Sequence, residues 1–592
     1  MITHAKCYRE GYPRPRFVRE RWVCLNGQWK FAFDDRDEGE RNRWYAGGKL
    51  TKEIAVPFAY QTQASGIGDD ARHDHLWYER RFTYALPRGK RLLLHFEGAD
   101  YTAKVWLNGC MLGTHTGGYA RFTFDCTPAL RRGENVLVVK CDDSRSAAQP
   151  RGKQRCTPQN VSCFYTDTSG IWKTVWLEEV GQSYLSRVLT TCEYERQSVL
   201  FEYNVQGFCE GLTLEIEAEY QGERAALCET ALLCDHGKIR LDLTLTNQML
   251  NLKPWSIGRP GQRFDLTYRL RHRGIVVDEV RSYTALVDYR TRGDGIEVNY
   301  LPAPCLRMVL AQGYYPDSGM TPKSDEELLR DVMLIKQMGF NGVRMHQKIE
   351  DERFYYFCDM AGLFCWLEMP AVYDFSPESV SALTREWTEV VLQYKGYLCV
   401  MAYVPVNESW GALQTSENGQ MQQLTAGLYS LTKALDPTRL VISNDGWEHT
   451  QSDIVTLHNY AQTGRELRLA YADLPAFLRG ERTGDTHTRS PFAKGWAYRG
   501  QPVVISEYGG IACRTQESGG WGYGAAAADA QELLARLREL TQAIVSLDGC
   551  RGYCYTQFTD VMQEKNGLLT EDRRPKADMD AIRAVNSLVR GE

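Results

Sequence analysis

The spacing of apolar residues changes once along the chain. Up to about residue 290 they come in short runs or alternate with polar residues. Beyond that point helical spacing appears between short apolar runs. In 1–180, Leu92-Leu93-Leu94-His95-Phe96 is an apolar run, and Val105 and Leu107 alternate ahead of Asn108-Gly109, a tight-turn dipeptide. Gly117-Gly118-Tyr119 and Thr168-Ser169-Gly170-Ile171-Trp172 punctuate further runs. This predicts a two-sheet β-sandwich of the jelly-roll kind. In 181–290, Leu212, Leu214, Ile216 and Ala218 alternate with Thr213, Glu215 and Glu217, and Phe264, Leu266, Tyr268 and Leu270 repeat the pattern. Period two with charged partners predicts sheets with one wet face, here an immunoglobulin-like sandwich.

The region 291–592 reads differently. Ser324 and Glu327 have capping-box spacing, and Leu328, Val332 and Ile335 form a helical stripe. Gly339 is placed as a helix stop before the strand Phe340-Asn341-Gly342-Val343-Arg344. Eight such strands are expected, near 307–313, 340–346, 363–369, 398–407, 439–444, 453–459, 502–507 and 550–558. Eight strand–helix units in this length predict a (β/α)₈ TIM barrel.

Composition narrows the function. A chain of 592 residues divides into several domains. A net charge of -5 provides no basic stripe, so nucleic acid is not an expected partner. The opening Met-Ile-Thr-His-Ala-Lys-Cys lacks an apolar signal core, and no run is long enough to span a bilayer. The 18 cysteines are scattered, several in strand-like runs (Cys163, Cys365, Cys399, Cys554), which suits reduced thiols in a cytoplasmic protein. No CxxC pair or tight His/Cys cluster calls for a metal, and no cofactor motif appears.

Two glutamates carry the chemistry. Glu408 closes Val404-Pro405-Val406-Asn407-Glu408 and Glu507 closes Val503-Val504-Ile505-Ser506-Glu507. A carboxylate at the end of a buried barrel strand is costly to hold and points to catalysis. Strands four and seven stand across a barrel mouth, where two carboxyl groups can hydrolyse a glycosidic bond. A gap of about 5–5.5 Å means retention of configuration, and about 6.5–9.5 Å means inversion.

Asn407-Glu408 and Ser506-Glu507-Tyr508-Gly509-Gly510 resemble the strand-end motifs of glycoside hydrolase family 2. Tyr12-Pro13-Arg14-Pro15, Leu25-Asn26-Gly27-Gln28-Trp29, Val105-Trp106-Leu107-Asn108-Gly109 and Ser169-Gly170-Ile171-Trp172 extend the resemblance over nearly the whole chain. It implies a retaining β-glycosidase with Glu408 as acid/base and Glu507 as nucleophile. It implies Asn407 on the sugar 2-hydroxyl, and Arg344 and Tyr460 beside the nucleophile. His346 and His458 are further candidates to line the sugar site. An acid at position 408 is expected to have a raised pKa, because a second carboxylate lies near. Asp317, after strand one, is a candidate for a sugar hydroxyl. Trp410, Trp521 and Tyr555 are candidates to stack on sugar faces, with Tyr555 near the place of a family Trp.

The sequence departs from the family at two places that read the sugar. Phe164 stands where many members carry an Asp five residues before Ser-Gly-Ile. The Asn-x-Lys of the β-glucuronidases is matched only by Gln563-Glu564-Lys565-Asn566-Gly567. The expected activity is therefore a retaining exo-β-glycosidase, β-galactosidase-like in substrate. Glucuronic or galacturonic acid, mannose and arabinopyranose are the alternatives within the family. A catalytically silent carbohydrate-binding protein is the alternative outside it, and a colorimetric glycoside assay separates the two. A carbohydrate is the expected partner, and homo-oligomerisation is left open.

Overall fold

The computed structural model describes residues 11–588 apart from 245, 247, 248, 250–252, 262, 482–488 and 515–518. Eight parallel strands form the C-terminal barrel: β1 (Leu306–Ala311), β2 (Gly342–Met345), β3 (Phe364–Glu368), β4 (Val400–Val404), β5 (Leu440–Val441), β6 (Val455–Asn459), β7 (Val503–Gly509) and β8 (Cys550–Thr556). Their order in the sheet is β5-β4-β3-β2-β1-β8-β7-β6, the cyclic order of a TIM barrel opened between β5 and β6. Every residue of β2, β3, β4, β6 and β7 is buried. Strands covered on both faces explain the near-continuous apolar runs.

Helices α1 (Asp325–Gln337), α2 (Glu352–Ala361), α3 (Pro377–Tyr394) and α4 (Gly419–Leu435) follow the first four strands. The short α5 (Gly464–Ala470) and α6 (Leu474–Leu478) follow β6, α7 (Ala530–Ser546) follows β7, and α8 (Met579–Asn586) follows β8. Leu328, Val332 and Ile335 of α1 are buried as their spacing predicts, and Gly339 adopts φ +85° at the helix stop. The expected capping box does not form. Ser324 caps with extended backbone but no side-chain bond, and Glu327 instead accepts from the Lys323 amide at 2.6 Å.

Ahead of the barrel lie two β-sandwiches. The first pairs a four-stranded sheet with a six-stranded one around Trp29, Phe31, Leu76, Leu94 and Val105. Its hairpin Thr102–Leu107/Cys110–Thr116 turns at Asn108 and Gly109, both at positive φ, as a two-residue turn requires. The second pairs three- and four-stranded sheets, and the inward residues of Leu212–Tyr220 and Phe264–His272 meet in its core. Among the described residues no disulfide joins cysteines. Cys365, Cys399 and Cys554 are buried, whereas Cys163 is half-buried in a loop rather than a strand.

Buried polar contacts lock the three parts together. Arg19 bonds Glu178 of the first sandwich at 2.7 Å and Asp278 of the second at 2.8 Å. Arg121 reaches Glu352 of α2 at 2.6 Å. The Ser169–Trp172 turn packs on the barrel: Thr321 donates to the Trp172 carbonyl at 2.6 Å, and Lys173 donates to that of Ile349 at 2.8 Å. One loop of the first sandwich crosses onto the barrel mouth. The amides of Arg151 and Gly152 both donate to the Ala371 carbonyl, at 2.8 and 3.1 Å. Gly152 has φ +61°, and a Cβ there would lie 2.3 Å from the Gln347 carbonyl oxygen, so only glycine permits this approach. No helix among the described residues is long and apolar enough to cross a membrane.

Candidate active site

The strand ends converge on one guanidinium. Arg344, fully buried at the end of β2, donates Nε to Glu368 at 2.7 Å and one terminal nitrogen to Glu507 at 2.7 Å. The other terminal nitrogen donates to Asn407 Oδ1 at 2.7 Å and lies 2.8 Å from Asp445 Oδ2. A buried cation is tolerable here only because three carboxylates surround it. Arg344 also fixes Asn407: its amide oxygen is occupied, which leaves its N–H₂ to donate to a ligand hydroxyl.

Burial alone would raise the Glu507 carboxyl. The cations His458 and Arg344 outweigh it and hold Glu507 below the usual carboxylate range. Tyr460 donates its hydroxyl to the second Glu507 oxygen, with Thr556 Oγ1 3.2 Å from the same hydroxyl. An ionised carboxylate held by an arginine and a tyrosine is a ready nucleophile.

Glu408 sits four residues beyond β4, at φ +51°, with Ser409 at φ +57°. Two successive non-glycine residues in the left-handed region are strained, and neighbouring contacts hold them. The Glu408 amide donates to the Asp445 carbonyl at 2.9 Å, and that of Ser409 donates to Asn444 Oδ1 at 2.8 Å. His458 Nδ1 lies 2.7 Å from Glu408 and 3.6 Å from Glu507, while its Nε2 lies 3.4 Å from Asp445. Ligating atoms of Glu408, His458 and Glu507 all lie within 4.8 Å of one another.

This geometry corrects the expected titration of Glu408. Burial would raise its pKa, but bonding and attraction to His458, with smaller help from Lys153 and Arg344, bring it below the ordinary value. Burial would lower the His458 pKa, but Glu507, Asp445 and Glu408 lift it to about 10. The proton expected on Glu408 therefore rests on His458, 2.7 Å away, and the two groups titrate as a pair. His346 is the opposite case. It is buried, 2.8 Å from Glu368, and burial with Lys153 and Arg344 nearby keeps it neutral.

The structure brings together Glu408, Glu507, Asn407, Arg344, His346, His458 and Tyr460. It does not do so for every expected residue. Asp317 is exposed at φ +61° and pairs with Lys323 at 3.0 Å, because the Tyr315–Gly319 turn carries it outward. Tyr555 is also excluded. Strand alternation puts Cys554 among the charges inside the barrel and Tyr555 on the outer face, edge-on to Tyr508 at 5.5 Å. Trp410 and Trp521 sit on the rim. Trp410 contacts Tyr373 and Phe164, and Trp521 donates to the Ser162 carbonyl at 2.7 Å, tying the loop after β7 to the sandwich. Lys565 turns toward Glu571, 3.9 Å away, while Asn566 and Glu564 are buried.

Several residues of the mouth were missed. Glu368 and Asp445 end apolar runs just as Glu408 and Glu507 do, so the same signal could have found them. Gln312, after β1, donates to Glu564 at 3.0 Å and to Gln557 at 2.7 Å, and Gln557 in turn donates to Asn566 at 2.7 Å. Burial raises the Glu564 carboxyl, and Lys153 leads the groups opposing that rise. Lys153, on the crossing loop, is half-buried and feels Glu564, Tyr373 and Tyr523, yet no ion pair joins it to an acid among the described residues. No sequence signal marked Lys153, since a glycine-enabled approach between two domains placed it. The trio Asp37, His75 and Asp142, far along the first sandwich, also clusters as metal ligands do, but Lys140 already bonds Asp37 at 2.6 Å and lies 3.1 Å from Asp142.

Comparison with known proteins agrees with this architecture. Residues 53–173 match the family model for the glycosyl hydrolase 2 galactose-binding domain-like fold, and residues 321–521 that for the glycosyl hydrolases family 2 TIM barrel domain, together more than half of the chain. A putative beta-glucuronidase of Formosa agariphila is 25% identical over 66% of this chain and 47% of its own length. A beta-galactosidase of Thermoanaerobacter pseudethanolicus is 24% identical over 65% of this chain and 50% of its own. The chain thus matches about half the length of these two relatives. Among solved structures, a β-glucuronidase from Ruminococcus gnavus bound to D-glucuronic acid superposes with a TM-score of 0.76 at 18% identity, covering 98% of this chain and 100% of that one. A beta-galacturonidase from Eisenbergiella tayi gives 0.74 at 20%, covering 98% and 99%. With its strand-end acids, its barrel and both matched domains, the chain belongs to glycoside hydrolase family 2.

Proposed function

We propose that the protein is a retaining exo-β-glycosidase acting by double displacement. One observation carries this reading: two carboxylates with oxygens within 4.8 Å, one held ionised by Arg344 and the other facing the His458 imidazolium. That spacing is on the short side, as expected of a retaining pair, and suits direct attack by Glu507. In the first step Glu507 attacks the anomeric carbon while the Glu408–His458 pair delivers a proton to the leaving oxygen. In the second, the same pair takes a proton from water, and the glycosyl–Glu507 bond breaks with net retention. Asn407 would donate to the sugar 2-hydroxyl, a bond that strengthens in the transition state. Exo action is supported by the sandwich loop, which walls one side of the mouth at Gly152 and Tyr373.

A neutral β-galactoside is the first reading of the sugar. Its support is Glu564, a buried carboxylate able to accept from sugar hydroxyls and set to repel a C6 carboxylate. A β-uronide is the second reading, favoured by Lys153, whose cation enters the mouth without an ion-pair partner among the described residues. The missing Asn-x-Lys spacing therefore does not by itself leave the mouth without a cation for a C6 carboxylate. The test of activity is Glu507→Ala with added azide. An α-glycosyl azide product is expected, and wild-type turnover by the pure variant would sink the assignment. The sugar follows from kcat/KM on nitrophenyl galactoside, glucuronide and galacturonide. Lys153→Met is expected to depress uronides selectively if they are substrates, and Glu564→Gln to depress galactoside if that reading holds.

A further inference from the structure

A cavity of about 630 Å³ opens beside Glu408, between the loops that follow β5 and β6 and the loop bearing Tyr523. It touches Glu408 and His458 but not Glu507, Asn407 or Arg344. In a retaining reaction the leaving group lies on the side of the acid, opposite the nucleophile. The cavity is thus placed for what departs rather than for the sugar that stays. This step rests on the reading of Glu408 and Glu507 given above.

Its walls are aromatic. Tyr460 and Tyr523 stack at 3.4 Å with ring planes 4° apart. The Trp447 ring stands edge-on to His458 at 5.4 Å, a position open only because Gly446 passes over the imidazole, where a Cβ would lie 2.7 Å from Nδ1. Two other polar side chains of the lining are already engaged. Gln462 Oε1 accepts from Arg536 at 2.8 Å, and Glu466 accepts from the amides of Gln462 and Thr463 at 2.9 and 3.1 Å. Two polar groups are not engaged among the described residues. The Trp447 indole N–H is buried without an acceptor. The Arg489 guanidinium lies 4.4 Å over the Trp447 ring, exposed and without an acidic partner.

A second sugar would require several hydrogen-bonding partners around its rim. Flat aromatic faces, one indole donor and one cation instead fit a planar ring with an acidic substituent. We infer that this cavity is an aglycone site that selects aromatic leaving groups bearing an anionic substituent, with Trp447 stacking on the ring and Arg489 pairing with the acid. The bond broken is still the glycosidic C–O bond, and its proton still comes from the Glu408–His458 pair. The substrate class would be phenolic-acid β-glycosides.

The test holds the sugar constant and varies the aglycone. The 3-carboxyphenyl and 3-carbamoylphenyl glycosides differ in charge but little in leaving-group acidity. Wild-type kcat/KM is expected to favour the carboxylate about tenfold or more, and Arg489→Met to erase that preference. Trp447→Ala should lower kcat/KM for both aryl glycosides about tenfold. With a dinitrophenyl glycoside, where the second step is expected to limit turnover, kcat should be unchanged in Arg489→Met, because the aglycone has already gone. Equal wild-type rates on the charged and neutral aryl glycosides, or parallel loss of dinitrophenyl kcat, would overturn the inference. Binding without turnover separates this from the parent reading. Free 3-hydroxybenzoate should quench tryptophan fluorescence saturably in Glu507→Gln, and not when Trp447→Ala is added. Quenching in a protein that hydrolyses no glycoside would leave the cleft standing and remove the glycosidase reading. Hydrolysis with no such binding would do the reverse.

Discussion

His458→Gln should move the basic limb of the pH–rate profile down from about pH 10. The imidazole is 2.7 Å from Glu408, 3.6 Å from Glu507 and 3.4 Å from Asp445, and its pKa is lifted to about 10. Against an ordinary histidine near 6.5, that lift corresponds to roughly 4–5 kcal/mol favouring the charged ring. The pair therefore keeps its proton up to about pH 10 and loses it above. Glutamine preserves size and a donor but removes the charge. Glu408 then keeps its burial and its ionised neighbour Glu507, both of which raise a carboxyl. It should take up the proton itself, and the basic limb should then fall below the pair's value of about 10. The assay is kcat/KM on a methyl or alkyl glycoside, where protonation of the leaving group matters, from pH 4 to 11, with near-UV circular dichroism to verify folding. Stability offers a second readout of the same sign. Because the folded pKa is raised, the imidazolium's contribution is fully present below about pH 6.5 and is lost as pH rises through about 10. The stability gap between wild type and variant should close over that window. A variant whose basic limb coincides with that of the wild type would refute the shared-proton account.

Other expected outcomes are simpler. Glu408→Gln should cost about 10²–10⁴-fold on alkyl glycosides and far less on dinitrophenyl glycosides; equal losses would remove its acid role. Gly152→Ala should raise KM by moving the loop that carries Lys153, since the added Cβ would fall 2.3 Å from the Gln347 carbonyl; unchanged KM would mean the loop does not shape the mouth. Arg19→Met should destabilise the fold by about 3–5 kcal/mol, because Glu178 and Asp278 would be left buried without their cation; denaturant midpoints at neutral pH test this. The same variant should leave kcat on a soluble glycoside near wild type below its unfolding transition, which separates domain packing from chemistry.

What the sequence disclosed and what it withheld follow from the range of the forces involved. The barrel was legible because parallel strands are buried on both faces, and residues such as Val400–Val404 have to be apolar whatever surrounds them. Glu408 and Glu507 stood out against that background, and Asp445 and Glu368 carry the same signature. Asp317 and Tyr555 were misplaced for a local reason. Side-chain direction at a strand end depends on one residue of register or one left-handed turn, and neither has a strong mark in composition. The titration of Glu408 was misjudged for a non-local one. Two acids alone would have raised it, but His458 arrives from β6, fifty residues later in the chain, and its charge outweighs the neighbour's. Lys153 arrives from another domain altogether, through a contact that only Gly152 permits. The candidate catalytic charges thus lie at or near strand ends, where burial makes a charge conspicuous. The groups proposed to meet the substrate, Lys153, Trp447 and Glu564, lie instead on loops whose positions are set by packing between distant segments. Changing a loop alters which group meets the substrate while leaving the Arg344–Glu507 and Glu408–His458 pairs in place.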